Sequence, residues 1–155
     1  MKLARLFIMT VIFSIAANLF GQEGNISTET SSLGHGYRAF AEINVLKNGG
    51  GLDISTTHGY QFDSNLYAGA GVSYGAVIGG YYSFVHAEIR YDFVIKEKVT
   101  PFADLRVSYN DGVIIQPAIG YRYKHLNVSA RYWLNKFDDI ITFSVGFDFG
   151  GRKKR

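Results

Sequence analysis

Residues 83–93 read SFVHAEIRYDF, and this stretch decides the fold because its side chains alternate between two characters. The apolar set consists of Val85, Ala87, Ile89, Tyr91 and Phe93. The other set is mostly polar or charged and consists of Phe84, His86, Glu88, Arg90 and Asp92. Successive side chains of a β-strand point to opposite faces, so the stretch predicts a strand with one apolar face and one charged face.

The same alternation recurs in seven further segments of the chain. They span 37–46, 52–62, 66–75, 101–110, 113–123, 126–134 and 140–149. No long apolar pattern of helical period follows residue 22, and the 18 glycines interrupt the windows in which one could form. The links are short and carry turn-forming residues, as in 47–51 (KNGGG) and 110–112 (NDG). The sequence therefore predicts an all-β fold, an eight-stranded antiparallel up-and-down barrel over 36–150.

The first 21 residues are predicted to be a secretory signal peptide. Lys2 and Arg5 precede an apolar run at 6–17 (LFIMTVIFSIAA), which is shorter than the roughly 20 residues that a spanning helix needs. Cleavage after Ala17 or after Gly21 fits the small residues there, and Gly21 is preferred because Gln22 opens a polar stretch. We therefore expect an exported protein in which a polar linker, 22–35, precedes the barrel.

The formal net charge of +3 belongs to the two ends of the chain. Two positive residues lie in the predicted signal peptide and four in a basic tail at 151–155, so the part between them is mildly acidic. A nucleic-acid-binding domain needs a basic surface, so we expect no nucleic-acid partner. The absence of cysteine excludes a disulfide framework, a thiolate metal site, a cysteine nucleophile and a bacterial lipoprotein anchor.

Two opposed barrels fit the alternation, and they differ in which face lies inside. In a secreted lipocalin-like barrel the apolar face would line a cavity for an apolar ligand. In an outer-membrane barrel the apolar face would meet lipid and the charges would fill the lumen.

Three features favour the membrane barrel. The charged face is also rich in Gly, Ala and Ser, which a narrow eight-stranded interior needs if it is to hold large charged side chains. Aromatic residues of the apolar face collect at both strand ends, as at membrane interfaces. The charges on the polar face also nearly balance, as buried charges must. The expected lumen network consists of Arg38, Glu42, Asp53, Glu88, Arg90, Asp92, Asp104, Arg106, Arg122, Arg131 and Asp148.

The predicted signal peptide, the eight segments and the aromatic final strand at 142–149 (TFSVGFDF) resemble the small outer-membrane barrels of the OmpA/OmpX type. The stretches 100–110 (TPFADLRVSYN) and 114–123 (IIQPAIGYRY) resemble outer-membrane β-barrel domain proteins of Bacteroidetes. The resemblance implies a Gram-negative outer-membrane location, with outer-membrane lipid and the barrel assembly machinery as partners. In that family the last strand ends the chain on an aromatic residue, whereas here Phe149 is followed by GGRKKR.

Two groups of residues are candidate chemical sites. Some barrels of this resemblance are lipid A-modifying enzymes, and His58 is the one histidine on the apolar face of the predicted strands, with Thr56 two residues before it. No Ser or carboxylate shares that face in the strands, so a base stands there without its nucleophile and acid. His86, Glu88, Asp92 and Asp104 are interleaved with arginines, which indicates ion-pair packing rather than a metal site.

The sequence thus predicts a monomeric, non-catalytic outer-membrane barrel with a plugged polar lumen. Its expected role is structural in the envelope or a weak surface interaction, because none of the outward turns is long. No catalytic, metal or cofactor site is expected. The secreted lipocalin-like binder and the lipid A-modifying enzyme stay open as alternatives.

Overall fold

A computed structural model describes residues 36–47, 50–62, 65–93, 99–134 and 140–150. The predicted signal peptide, the linker and the basic tail lie outside these ranges. No helix within them is long and apolar enough to cross a membrane.

Eight antiparallel strands make up the described chain, and the predicted fold class is confirmed. They are β1 (Gly36–Leu46), β2 (Gly51–Gln61), β3 (Leu66–Val77), β4 (Gly80–Asp92), β5 (Val99–Tyr109), β6 (Val113–Tyr123), β7 (Leu126–Trp133) and β8 (Ile140–Gly150). Each strand pairs with the next, and β8 returns to pair with β1, which closes the barrel. In the closing register Ile43 of β1 lies opposite Ile54 of β2 on one side and Val145 of β8 on the other. Closure leaves no unpaired sheet edge along the wall.

The charged side chains of the strands point into the barrel, and most of the large apolar side chains point out. In β4, Glu88 and Arg90 are 1% and 0% exposed, whereas Ile89 between them is 56% exposed. The same pattern runs along all eight strands. This distribution is the reverse of that in a water-soluble domain, in which charged residues are seldom fully buried.

Several glycines on the inner wall make room for the rings of neighbouring side chains. The sequence had suggested that they make room for large charged side chains. A Cβ at Gly71 would lie 2.6 Å from Nε2 of His86, and a Cβ at Gly75 would collide with the ring of Tyr82. Gly120 faces the ring of Phe102 in the same way. The small residues therefore match large side chains on neighbouring strands, which lets an eight-stranded interior fill completely.

Two hairpin turns use non-glycine residues in the left-handed region. Asp111 in the NDG turn has φ 49° and Lys124 in the two-residue turn before β7 has φ 55°. Aspartate tolerates this conformation well, since its short polar side chain can bond locally. The NDG turn was predicted from its Asp-Gly pair, and within that pair Asp111 adopts the positive φ.

Candidate functional site

The centre of the barrel holds a cluster of buried ion pairs. Nη2 of Arg106 lies 2.6 Å from Oε2 of Glu88 and 2.8 Å from Oε2 of Glu42. Arg90 approaches the other oxygens of the same two carboxylates, at 2.9 Å from Glu88 and 3.1 Å from Glu42. The two glutamates and two arginines come from β1, β4 and β5, so the cluster ties non-adjacent parts of the wall together across the interior.

A third arginine and an aspartate extend this cluster toward β7. Nη2 of Arg131 lies 3.1 Å from Oδ1 of Asp104, and Asp104 also lies 3.4 Å from Arg90. Nη1 of Arg131 is 3.6 Å from Glu42. Because every charge in the cluster has an opposite charge close by, the desolvation penalty of burying it is offset by direct pairing.

A second ion-pair cluster lies toward the end of the barrel where β1 begins. Arg38 donates from Nη2 to Oδ2 of Asp148 at 2.7 Å and from Nη1 to Oδ2 of Asp92 at 2.8 Å. It also donates to the side-chain oxygen of Gln61 at 2.7 Å. Arg122 shares the Asp92 carboxylate through a bond of 2.5 Å. The two clusters together contain all the predicted lumen residues except Asp53.

Aromatic rings separate the two clusters. The guanidinium of Arg90 lies 3.9 Å from the ring centre of Phe40 and 4.3 Å from that of Phe102. The guanidinium of Arg38 also lies over the Phe40 ring, 4.7 Å from its centre. Such stacking is stronger away from water, so the rings stabilise buried guanidinium groups as well as filling space. Phe102 was not among the predicted lumen residues, although its inward parity follows from Asp104 two positions later.

Asp53 is only 4% exposed, yet it forms no salt bridge with any arginine of the described residues. The side-chain amide of Asn44 donates to its Oδ1, and Asn44 in turn accepts from the hydroxyl of Ser144. Among the described residues Asp53 makes no ion pair, and the bond that it accepts comes from a neutral amide. The lumen therefore combines salt-bridged carboxylates with a carboxylate that is bonded by an amide.

An apolar cluster closes the end of the interior opposite the Arg38 cluster. Its core is Leu46, Phe84 and Trp133, which are 2%, 8% and 7% exposed. The ring centres of Phe84 and Trp133 lie 5.5 Å apart in an edge-to-face arrangement, and Tyr82 packs against both. We call this group the apolar cap. The sequence does not predict the apolar cap. Tyr82 lies just before the alternating segment 83–93, and Leu46 is the last residue of the segment 37–46.

The histidine on the outer wall is held by two hydroxyl groups. Nδ1 of His58 lies 2.6 Å from the hydroxyl of Tyr37, and Nε2 lies 2.8 Å from Oγ1 of Thr56. All three side chains are exposed on the outside of the barrel. No carboxylate among the described residues contacts this imidazole, so a catalytic acid is missing from the trio as the structure describes it.

The candidate metal ligands turn toward other partners. His86 bonds through Nε2 to the hydroxyl of Thr57 at 2.8 Å, while Glu88, Asp92 and Asp104 contact arginines. Within the ranges that the structure describes, no group of three or more His, Cys, Asp or Glu residues is placed to hold a metal ion.

Aromatic side chains ring both ends of the outer wall. At the end where β1 begins, the exposed rings include Tyr37, Tyr60, Tyr121 and Phe149. At the other end Tyr74, Tyr81 and Tyr109 are 55%, 78% and 62% exposed. Between the two rings the exposed large side chains are aliphatic or aromatic, such as those of Ile43, Ile54, Val107, Ile119 and Val145.

In fold the chain is similar to de novo designed transmembrane β-barrels. One solved structure described as de novo design of transmembrane β-barrels is 13% identical and has a TM-score of 0.54, with 77% of this chain and 99% of that one covered. The designed protein TMB2.3, solved by solution NMR, is 16% identical and has a TM-score of 0.52, with 76% and 97% covered. No protein-family model and no curated protein matches the sequence. The likeness supports the barrel fold, and the resemblance to OmpA/OmpX-type proteins stays a prediction.

Proposed function

We propose that this protein is a small barrel that spans the outer membrane. The observation that carries the proposal is the reversed distribution of side chains, with ion pairs inside and an uncharged apolar wall outside. Strands such as β1 and β2 have 11 residues, and a tilted strand of 9–11 residues spans the hydrocarbon of a bilayer. The aromatic rings at both ends lie where the headgroups would be. Export by a signal peptide and insertion by the barrel assembly machinery are part of this proposal.

The lumen is proposed to be plugged. The two ion-pair clusters, the rings of Phe40 and Phe102 and the apolar cap follow one another along the interior. An eight-stranded barrel is only wide enough to be filled by such side chains. We therefore expect no single-channel steps from the purified protein in a planar bilayer, and steady steps of one size would contradict the plugged lumen.

The proposed role is structural, or a weak interaction at the cell surface, and not catalysis. The described turns at the end of the apolar cap, such as 110–112, are short. Outer-membrane barrels that act as receptors or adhesins carry longer external loops. The closed wall has no free edge for strand pairing with a second copy, so we propose a monomer surrounded by outer-membrane lipid.

The lipocalin-like alternative needs the opposite side-chain distribution. It would place Ile54, Ile89 and Val107 in a cavity, whereas these side chains are exposed on the outer wall and the interior holds arginines and carboxylates. A barrel with this outer wall would expose a continuous apolar surface in water and aggregate.

The decisive experiment is detergent dependence combined with gel migration. The purified protein should need detergent or lipid to stay in solution, and unboiled samples should migrate differently from boiled ones because the closed barrel resists SDS. A protein that stays monodisperse in buffer alone, with identical migration before and after boiling, would contradict the proposal. Flotation with outer-membrane fractions would test the location separately.

A further inference from the structure

The turn between β6 and β7 places two polar side chains over the outer wall. It consists of Lys124 and His125, and both are exposed. Nζ of Lys124 lies 5.5 Å from the ring centre of Tyr123, and the imidazole of His125 stacks on Phe147 with 5.7 Å between ring centres. Tyr123 and Phe147 are each 47% exposed on the outer wall. The amine and the imidazole therefore lie beside the aromatic rings at the end of the barrel where β1 begins.

His125 is held in place by two hydrogen bonds to Asp148 of β8. The carbonyl oxygen of His125 accepts from the backbone N–H of Asp148 at 2.7 Å, and Nδ1 of the imidazole lies 3.1 Å from the carbonyl oxygen of Asp148. Because a carbonyl oxygen only accepts, Nδ1 carries the proton, and Nε2 of the neutral imidazole is then an acceptor. The turn thus presents a cationic donor on Lys124 next to a neutral acceptor on His125.

Lys124 occupies a backbone conformation that few side chains adopt. Its φ of 55° lies in the left-handed region, which glycine enters readily and lysine only at some cost. The turn therefore carries an amine at a position where a residue without a side chain would be easier to accommodate. Backbone outliers of this kind cluster at binding and catalytic sites.

The outer wall below the turn is apolar. Leu126 and Val128 of β7 are 46% and 44% exposed, and Leu126 lies opposite Tyr123 on β6 and Phe147 on β8. In the proposed orientation the apolar cap faces outside the cell, so the turn lies at the periplasmic leaflet. That leaflet consists of glycerophospholipids, whose phosphates lie at the depth of the aromatic rings and whose acyl chains lie below them.

We propose that the β6–β7 turn binds an anionic phospholipid whose headgroup carries a hydroxyl group, such as phosphatidylglycerol. The phosphate accepts from the ammonium of Lys124, and a headgroup hydroxyl donates to Nε2 of His125. One acyl chain lies along Leu126 and Val128. A zwitterionic headgroup fits less well, because its own ammonium would lie close to that of Lys124. The inference rests on the proposed membrane location and goes beyond it, because it selects a headgroup at one place on the rim.

Native mass spectrometry of the folded, detergent-solubilised protein tests the proposal. The protein is mixed with equal amounts of phosphatidylglycerol, phosphatidylmethanol and phosphatidylethanolamine of the same acyl chains. Phosphatidylmethanol, which is anionic without a hydroxyl, should be retained about fivefold over phosphatidylethanolamine, the effect of one lysine near the headgroups. Phosphatidylglycerol should be retained about threefold over phosphatidylmethanol, the effect of one hydrogen bond. Equal retention of all three lipids would overturn the proposal, and equal retention of the two anionic lipids would overturn the role of His125.

Two variants and a control locate the effect. Lys124→Gly removes the amine and relieves the positive φ, so it should be as stable as the wild type in vesicles of zwitterionic lipid and lose the preference for anionic lipid. His125→Phe keeps a ring on Phe147 and should lose only the preference for phosphatidylglycerol over phosphatidylmethanol. Lys47→Gly removes an exposed lysine at the opposite end of the barrel and should change neither preference. An undiminished preference in Lys124→Gly would overturn the assignment to this turn.

The basic end of the chain needs a control of its own. Four basic residues at 152–155 follow β8 in the sequence, and β8 ends on the same side of the barrel as the β6–β7 turn. With all four replaced by glutamine in the full chain, the preference for phosphatidylglycerol over phosphatidylmethanol should persist. Loss of that preference would show that the chain end selects the lipid and would overturn the proposal.

Two further readouts separate this proposal from others. Soluble glycerol phosphate at equal concentration should not displace the lipid, and displacement would overturn the acyl-chain part of the site. Heat-modifiable gel migration of each variant shows that it is folded. A folded, detergent-dependent barrel without lipid preference would refute the lipid site and leave the proposed membrane function standing, whereas a protein soluble without detergent would refute both.

Discussion

Nη2 of Arg106 lies 2.6 Å from Oε2 of Glu88, and both side chains are buried inside the barrel. The two residues lie directly opposite each other on β5 and β4, so the register of the two strands sets the pair. Glu88 also contacts Arg90 on its own strand, two residues further along. Loss of Glu88 would therefore leave two guanidinium groups short of a partner in a closed interior.

Replacing Glu88 by leucine should destabilise the barrel by about 3–5 kcal/mol, the usual cost of removing one partner of a buried ion pair. The double replacement of Glu88 and Arg106 by leucine should recover a large part of that loss, because it removes one of the orphaned charges. Reversible urea unfolding in lipid vesicles measures both. Lys124→Gln, on an exposed turn, is the control and should change stability little. If Glu88→Leu were as stable as the wild type, the ion pairs of the lumen would not be needed for the stability of the barrel.

Contact of the outer wall with lipid can be tested by placing a charge in the middle of the wall. Leu105 is exposed near the centre of β5, so Leu105→Arg should cost about 2–4 kcal/mol in a bilayer. Val113→Arg puts the same charge at the end of β6, at interface depth, and should cost no more than about 1 kcal/mol. Unfolding of both variants in the same vesicles gives the comparison. Equal costs at the two positions would argue against a depth-dependent lipid environment.

Period-2 alternation was enough to predict the strands and the facing of their side chains. It assigned Arg38, Glu88 and Arg106 to one face because each has apolar neighbours on both sides in the sequence. Alternation also placed Tyr91 and Ile89 on the other face. These assignments depend only on local geometry, which the pleat of a strand fixes.

The partners inside the barrel could not be predicted in the same way. Glu42 contacts Arg106, although 64 residues and three strands separate them in the chain. Such a contact depends on closure of β8 onto β1 and on the stagger of the strands, neither of which is visible in one strand's pattern. The apolar cap was missed for a related reason, since Tyr82 lies before the predicted start of β4 and Leu46 at the last residue of β1.

The position of the single tryptophan offers a direct test of which face is inside. Trp133 is 7% exposed and belongs to the apolar cap. In vesicles of lipids with brominated acyl chains its fluorescence should be nearly unquenched, because bromine quenches at short range and the ring is shielded by the wall. A variant that combines Trp133→Phe with Ile119→Trp moves the fluorophore to a position that is 64% exposed, and strong quenching is expected there. Strong quenching of Trp133 in the folded wild type would contradict the inward assignment.

Tyr37, Thr56 and His58 on the outer wall provide a test of the proposal that the protein is not an enzyme. His58 is positioned by Tyr37 and Thr56 through bonds of 2.6 Å and 2.8 Å, which is hydrogen-bond reach for a base and a hydroxyl nucleophile. No carboxylate among the described residues orients the imidazole, and the backbone donors of a closed sheet are taken up by strand pairing, so no oxyanion site is at hand.

We therefore expect that expression of the wild type and of His58→Ala yields lipid A with the same acyl-chain masses by mass spectrometry. A host that expresses a lipid A deacylase serves as the positive control for detection. A loss of one acyl chain with the wild type but not with His58→Ala or Thr56→Val would show that the trio is catalytic. Thr56→Val is the sharper of the two variants, because it removes the hydroxyl while keeping the β-branched shape that the strand favours.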